Sequence, residues 1–383
     1  MASSGLASRL YAGEANINIV GRRKMWFTIA AALILISIGS FVIRSFELGI
    51  EFAGGTSFSV PAATAGKTLT QDEISGAVEK AVKDAHPDAS IGAVQKVGEG
   101  KDASYTVRAT ALSTAEAEQA KLAIVKDLGV DASKISDNQV SAAWGGQVTR
   151  QAVIGLIIFL VLVVAYLVFR FEVRMAAAAL ASLILDLVLT AGVYSLVGFE
   201  VTPSTVIGFL TILGYSLYDV VVVFDKVQEN TRGITAGSTR TYSEATNLAV
   251  NQTLMRSLNT GLVALLPVGG LLFIGAGLLG AGTLKDLGLV LFVGMGFGVL
   301  SSILFAAPVL SALKDQEPKI KAHNARVLTR RASRSDDAAK GDRNRPANAT
   351  ASDVPAMAGS TTPRPGARPA ARRNNNRPGD RRR

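Results

Sequence analysis

The stretch PSTVIGFLTILGYSLYDVVVVFDKVQEN, residues 203–230, sets the class of this chain. From Pro203 to Phe224 it holds a single charge, Asp219, among apolar and hydroxyl-bearing residues. At 1.5 Å per residue, roughly 20 such residues cross a hydrocarbon core about 30 Å thick. No water-soluble domain needs so long an apolar helix, so the stretch predicts a membrane span. Charge resumes at Asp225 and Lys226, which marks one boundary.

Five further apolar runs read the same way: Met25–Ile43, Ala152–Phe169, Met175–Val197, Val250–Ile274 and Leu287–Leu310. Arg22, Arg23 and Lys24 precede the first, and the bulky Ile43-Arg44-Ser45-Phe46 follows it. A cleaved signal peptide would be shorter and end in small residues, so an uncleaved span is expected. The connections Arg170–Arg174 and Lys226–Arg240 are basic, whereas Gly198–Thr202 and Gly275–Asp286 carry one Lys between them, Lys285, and no Arg. Excess Lys and Arg marks the cytoplasmic side. Both termini are therefore expected inside, including residues 1–24, and the segment 44–150 outside.

The net charge of +10 belongs to the tail, because residues 314–383 hold 18 Lys and Arg against 7 Asp and Glu. That tail, rich in Arg, Pro, Asn and Ala, is expected to be disordered from about Glu317, with anionic lipid or the ribosome as a contact. It lacks aromatic residues for base stacking, and no specific nucleic acid is expected. The absence of cysteine excludes disulfides and thiolate metal sites, and His86 and His323 lie far apart. No metal and no cofactor is expected.

Segment 44–150 reads as one α+β domain. Phe46–Val60 reads as extended, broken by Gly54-Gly55. Thr70-Gln71-Asp72-Glu73 has capping-box spacing and opens a helix with Ile74, Val78, Ala81 and Val82 on one face. β-type stretches follow at Ser90–Val97 and Ser104–Ala109, around the turn-like Gly98–Asp102. Ser113-Thr114-Ala115-Glu116 caps a second helix to about Leu128, and a last strand is expected over Ile135–Ala142. The order β-α-β-β-α-β is the ferredoxin-like arrangement. It carries no acid pair, triad or metal spacing, so a packing or contact domain is favoured over an enzyme.

Ionisable residues inside the spans carry the chemistry. Asp186 has Ser182 and Thr190 one turn to either side. Asp219 shares a face with Thr211, Tyr215 and Ser216. Arg256 is flanked by Gln252, Asn259 and Thr260. Charges at such depth cost several kcal/mol unless paired or hydrated, which points all three into the bundle. Asp219 lies roughly 9 Å inside its boundary and Arg256 roughly 12 Å from the same side. They are expected to meet in at least one state, either as a static register pair or as a proton site sensed by the arginine.

Residues Gly214–Asn230 resemble the most characteristic motif of the SecF family, the smaller half of the SecDF protein-export complex. Gly49–Thr56, Phe169–Glu172, Asp186 with Gly192 and Glu200, Asn251–Thr260, Leu284–Asp286 and Ser301-Ser302-Ile303 with Pro308 match in order. The resemblance covers about Met25 to Leu313. Glu51, Leu185, Tyr218 and Val220 depart from the commoner residues at their positions. The resemblance implies half of an RND-type membrane core, pairing with SecD, and work beside the SecYEG channel on exported unfolded polypeptide, driven by protons across the bacterial cytoplasmic membrane. It carries a proton-relay role to Asp219 and Arg256, with Asn259, Asp186, Tyr215 and Ser216 as auxiliary polar groups.

The expected architecture is an α-helical polytopic membrane protein: span one over 25–43, the ferredoxin-like domain over 44–150, spans two to six over 151–313, and the tail. No catalytic residue is expected. Gly275–Gly280 fits GxGxxG but follows a span rather than a strand, and no phosphate-binding Walker sequence occurs. The competing readings are an RND-type exporter half for small molecules or lipids, and a passive scaffold whose external domain binds a partner.

Overall fold

The computed structural model describes residues 16–343 apart from 65, 66, 99, 101, 102 and 279–281. The Gly98–Asp102 turn and the end of the GxGxxG run therefore fall partly outside the described residues. Six helices are long and apolar enough to cross a membrane: Val20–Arg44, Ala142–Arg170, Val173–Val197, Pro203–Ala236, Tyr242–Leu278 and Leu284–Asp315. They are called spans one to six below. Several begin earlier than hydropathy alone implies, because caps rather than apolar content start them. Ser141 accepts from the Trp144 amide ahead of span two, and Thr241 with Glu244 forms a capping box ahead of span five.

Spans three, four and six form the centre of the bundle. In their most apolar windows 56%, 39% and 50% of residues are buried, against 11%, 11% and 17% for spans one, two and five. The shared core joins Ala178, Ala179 and Leu183 of span three to Leu213, Val220 and Phe224 of span four and Ile303, Ala306 and Leu310 of span six. Small residues let these helices approach closely. Gly294 is one such place, where an added methyl would fall 2.1 Å from the Ile212 side chain.

The inserted domain follows span one. A short strand β1 (Glu47–Leu48) leads to β2 (Gly55–Pro61), then a helix Gln71–Ala85, β3 (Ile91–Val97), β4 (Ser104–Ala109), a helix Thr114–Leu128 and β5 (Ser136–Val140). The sheet is antiparallel throughout, in the order β3-β4-β2-β5. Phe58 on β2 stands opposite Val107 on β4 and Asp137 on β5. Phe58, Val60 and Val107 share one core with Ile74, Val78 and Val82 of the first helix and Ala120 and Ile124 of the second. Both capping boxes form, at Thr70/Glu73 and Ser113/Glu116.

Two segments depart from the sequence reading. Phe46–Val60 is not continuously extended: Ile50–Ala53 makes one helical turn between β1 and β2. Gly54 ends it at φ +76°, and an added methyl there would lie 2.7 Å from the Ala142 backbone at the start of span two. The tail expected to be disordered begins instead with a helix, Pro318–Arg343. Proline at the first helical position favours helix initiation, and Ile320, His323 and Val327 bury one face at helical spacing. Polar composition hid that three-residue stripe. Residues 344–383 lie outside the described residues.

Between the domain and the bundle runs a polar joint. Strand β1 pairs in parallel with β6 (Glu200–Val201), the short strand between spans three and four. Arg108 on β4 forms an ion pair with Glu200 and donates to the Leu48 carbonyl at 2.6 Å. Lys285, at the start of span six, donates to the Gln95 side chain on β3 at 3.3 Å. A cavity of about 220 Å³ at this joint is lined by Glu51, Arg108, Glu200, Lys285 and Asp286 among others.

Candidate functional site: buried carboxyls in a serine belt

Span four buries Ile212, Ser216, Asp219, Val223 and Val227. These positions fall three or four apart, so they form one helical stripe. Asp219 is 3% exposed. Ser257 of span five donates to its Oδ1 at 2.7 Å, and Ser302 of span six donates to its Oδ2. The Ser302 hydroxyl also lies 2.9 Å from the Val299 carbonyl. It has one hydrogen to give, so it can serve only one of these acceptors at a time.

One turn before Asp219, Ser216 donates to Asp186 Oδ2 on span three. Asp186 is fully buried, and its Oδ1 meets no donor among the described residues. Four residues earlier on the same face, Ser182 donates to Ser301 at 3.3 Å. Two carboxyls and five serines from four spans thus make a polar belt inside an apolar bundle. No Lys or Arg forms an ion pair with either carboxylate among the described residues.

Two backbone features bring the belt together. Gly298 on span six leaves room for Ser216: an added methyl would sit 3.2 Å from its Cβ. Four residues further on, the helix widens to π geometry over Ser302–Ala306, and Ser301, Ser302 and Ile303 are all buried in succession. A regular α-helix turns about 100° per residue and would carry one of them off the inner face.

The expected meeting of Asp219 and Arg256 does not occur in this conformation. Arg256 is exposed and donates to the Tyr218 hydroxyl at 3.2 Å. The depth estimate placed the right turn of span five beside Asp219, since the neighbouring Ser257 reaches it. One residue of rotation decides which side chain arrives. Asn259 is exposed, as are Gln252, which bonds Asn230 at 2.9 Å, and Tyr218. Tyr215 is half-buried, with its hydroxyl enclosed and unbonded among the described residues. Asp225 at the boundary pairs with Arg170 at 2.6 Å, and Lys226 pairs with Glu229 at 2.8 Å.

Sequence reading gave Ser257 no role and used Ser301-Ser302 only as part of a motif. A signal for Ser257 was present. Ala249, Thr253, Ser257 and Gly261 recur every four residues, a stripe of small side chains that marks the packed face of a span.

Carboxyl groups buried at the centre of a six-span bundle, beneath an inserted α+β domain, define a polytopic membrane protein of the transport class. A mere anchor has no reason to bury them. Residues 120–316 match the family model described as protein export membrane protein SecD/SecF, C-terminal. The chain is 42% identical to the protein translocase subunit SecF of Mycobacterium tuberculosis, over 94% of this chain and 85% of that one. It is 46% identical to that of Streptomyces coelicolor, over 88% and 86%. The crystal structure of SecDF from Thermus thermophilus, titled a translocon-associated membrane protein, superposes with a TM-score of 0.64 at 27% identity. That match covers 78% of this chain and 39% of the SecDF chain, so the chain spans about two fifths of that longer protein. The chain belongs to the SecF family of protein translocase subunits, multi-pass proteins of the bacterial membrane.

Proposed function

We propose that this chain couples the proton gradient to protein export, acting with SecD beside the SecYEG channel to draw exported unfolded polypeptides outward. Asp219 carries the reading: a buried carboxyl held by two serine donors from neighbouring helices, with no ion-paired cation among the described residues. An ionised carboxylate in such surroundings costs several kcal/mol, and a proton removes that cost. Serines accommodate either form, because a hydroxyl can donate to the carboxylate or turn to the Val299 carbonyl once the acid is neutral. One proton moving down its gradient supplies about 2.3 kcal/mol per 100 mV and about 1.4 kcal/mol per pH unit. That is enough to tilt a two-state bundle.

The Arg256 face supports a partner in the membrane. Arg256, Asn259 and Tyr218 are exposed near the depth of Asp219, with Gln252 one turn nearer the boundary and bonded to Asn230. Lipid would not tolerate that group, whereas a neighbouring chain or a hydrated seam would. Relatives named SecDF, such as that of Thermus thermophilus, contain this region as one part of a longer chain, which makes SecD the fitting occupant. Within this reading the inserted domain is ferredoxin-like and extracytoplasmic, both termini are cytoplasmic, and the basic tail touches anionic lipid or the ribosome. The role is non-enzymatic, with protons as the only coupling species.

The test is export in membrane vesicles carrying this chain with SecD and the channel, with and without a proton gradient. Asp219→Asn and Arg256→Ala are each expected to abolish the gradient-driven component while leaving assembly intact. Unchanged stimulation in an assembled Asp219→Asn complex would return the carboxyl to a register role, and with it the scaffold reading. Stimulation of small-molecule or lipid efflux in place of polypeptide export would favour the exporter reading.

A further inference from the structure

Asp186 is left unexplained by a relay built on Asp219 and Arg256. It is more deeply buried than Asp219, yet only one of its oxygens receives a donor, and that donor is Ser216. The other oxygen is enclosed and meets no donor among the described residues. Spans one, two, four and six pack against span three. Between their ends, spans one and six carry no ionisable residue; span two holds Arg150 and Tyr166, and span four Tyr215, Tyr218 and Asp219, followed by the boundary group Asp225, Lys226, Glu229 and Arg232. No cation balances Asp186 at its own depth. For a purely structural polar contact this is a poor design, since Asn or Ser would bond Ser216 without a carboxyl to desolvate.

We propose that Asp186 is a second proton-binding group, and that its occupancy is communicated to Asp219 through Ser216. The connection is geometric. An ionised Asp186 accepts from the Ser216 hydroxyl. A protonated Asp186 carries its own hydrogen and frees that hydroxyl. Ser216 lies one turn before Asp219 on span four, so whatever holds or releases Ser216 acts on the helix that positions Asp219 against Ser257 and Ser302. Ser182, one turn from Asp186, donates to Ser301, which is adjacent to Ser302. The two carboxyls are therefore linked along span four, and the Ser182–Ser301 contact ties span three to the part of span six that carries Ser302. The step is a simple protonation: an O–H bond forms on an Asp186 oxygen with a proton from water, and its breaking returns the proton to water.

This inference rests on the proton-coupling reading but is tested apart from it. Infrared difference spectra of the purified full chain, titrated in detergent or lipid, report protonated buried carboxyls directly. Wild type is expected to show two such signals, Asp186→Asn to lose one and Asp219→Asn the other. Ser216→Ala is expected to shift the Asp186 signal without removing it, and it keeps the test alive if Asp186→Asn fails to fold. In vesicles, Asp186→Asn is expected to flatten the pH profile of gradient-driven export, and Asp186→Glu to restore part of it. A single carboxyl signal, lost only in Asp219→Asn, would overturn the second site, as would a Ser216→Ala spectrum identical to wild type. Two signals with the gradient stimulation of export unchanged in both variants would instead sink the coupling reading and leave the second site standing.

Discussion

The inserted domain and the buried interior of the membrane bundle treat their acids in opposite ways. In the domain, acids that form contacts are met by a cation or a helix amide. Asp137 holds Lys121 at 3.0 Å, Asp127 holds Lys80 at 3.0 Å, and Glu73 and Glu116 close capping boxes. In the bundle interior, Asp186 and Asp219 meet only hydroxyls among the described residues. The domain's arrangement suits groups whose charge never changes, because each partner stabilises the ionised form. Hydroxyls bind either form, so the bundle's acids can change charge without breaking the fold around them. Fixed charge holds the domain; changeable charge sits where spans meet.

The largest expected stability effect lies at the joint between the two regions. Arg108 and Glu200 are only about a tenth exposed (side chains 10% and 13%), so removing one strands the other. Arg108→Ala is expected to cost about 3–5 kcal/mol. Melting of the purified chain, followed by the fluorescence of Trp144 at the start of span two, measures it. Loss of stability with the gradient response retained would place this pair with the domain's fixed charges. Loss of the response in a stable protein would make it part of the changeable set and break the comparison.

Gly298→Ala is the next largest. The new methyl would press on Ser216 at 3.2 Å, closer than most such contacts, with the stiff helix backbone behind it. Overpacking of this kind costs about 1–3 kcal/mol. It should also disturb the serine belt, so gradient-driven export is expected to fall more than the shift in melting temperature alone explains. An unaltered response would show that the seat of Ser216 is not critical.

Lys121→Ala sharpens the contrast from the other side. Lys121 and Asp137 are each about a fifth exposed, and the pair is expected to contribute under about 1 kcal/mol. A change in export pH dependence would be unexpected there.

Much of this contrast was legible in the sequence, and the remainder was hidden for a definable reason. Spans are read from length and hydropathy, and capping boxes from Ser or Thr followed three residues later by Glu; both signals are local. Depth is nearly as accessible, since it only counts residues from a boundary. Rotation about a helix axis is harder. Arg256 drew attention as the charged residue at the right depth, yet Ser257, about 100° around the helix, is the one that reaches Asp219. The four-residue stripe of Ala249, Thr253, Ser257 and Gly261 held the answer, but it is made of unobtrusive residues. The widened turn at Ser302–Ala306 left no such trace, because its residues are ordinary helix and span formers.

The smallest expected effect tests the domain alone. The hydroxyl and amide of Ser113, with His86 beside them, hold the Glu116 carboxyl down to about 2 from an ordinary 4.5. Glu73 is held to about 2 by Lys67 and by Thr70. A carboxyl whose folded value is depressed binds protons more readily when unfolded, so its contribution is present above about 4.5 and is lost as pH falls toward 2. Protection of the Gln71–Ala85 and Thr114–Leu128 amides from hydrogen exchange should therefore hold steady from neutral pH to about 4.5, once corrected for the intrinsic rate, and decline below it. Glu73 is exposed and Glu116 partly so, so the decline should be shallow and should weaken with added salt. A steep loss of protection above pH 5 would mean that the domain, too, contains an acid whose charge is meant to change, and the division between fixed and changeable charge would no longer follow the boundary between domain and bundle.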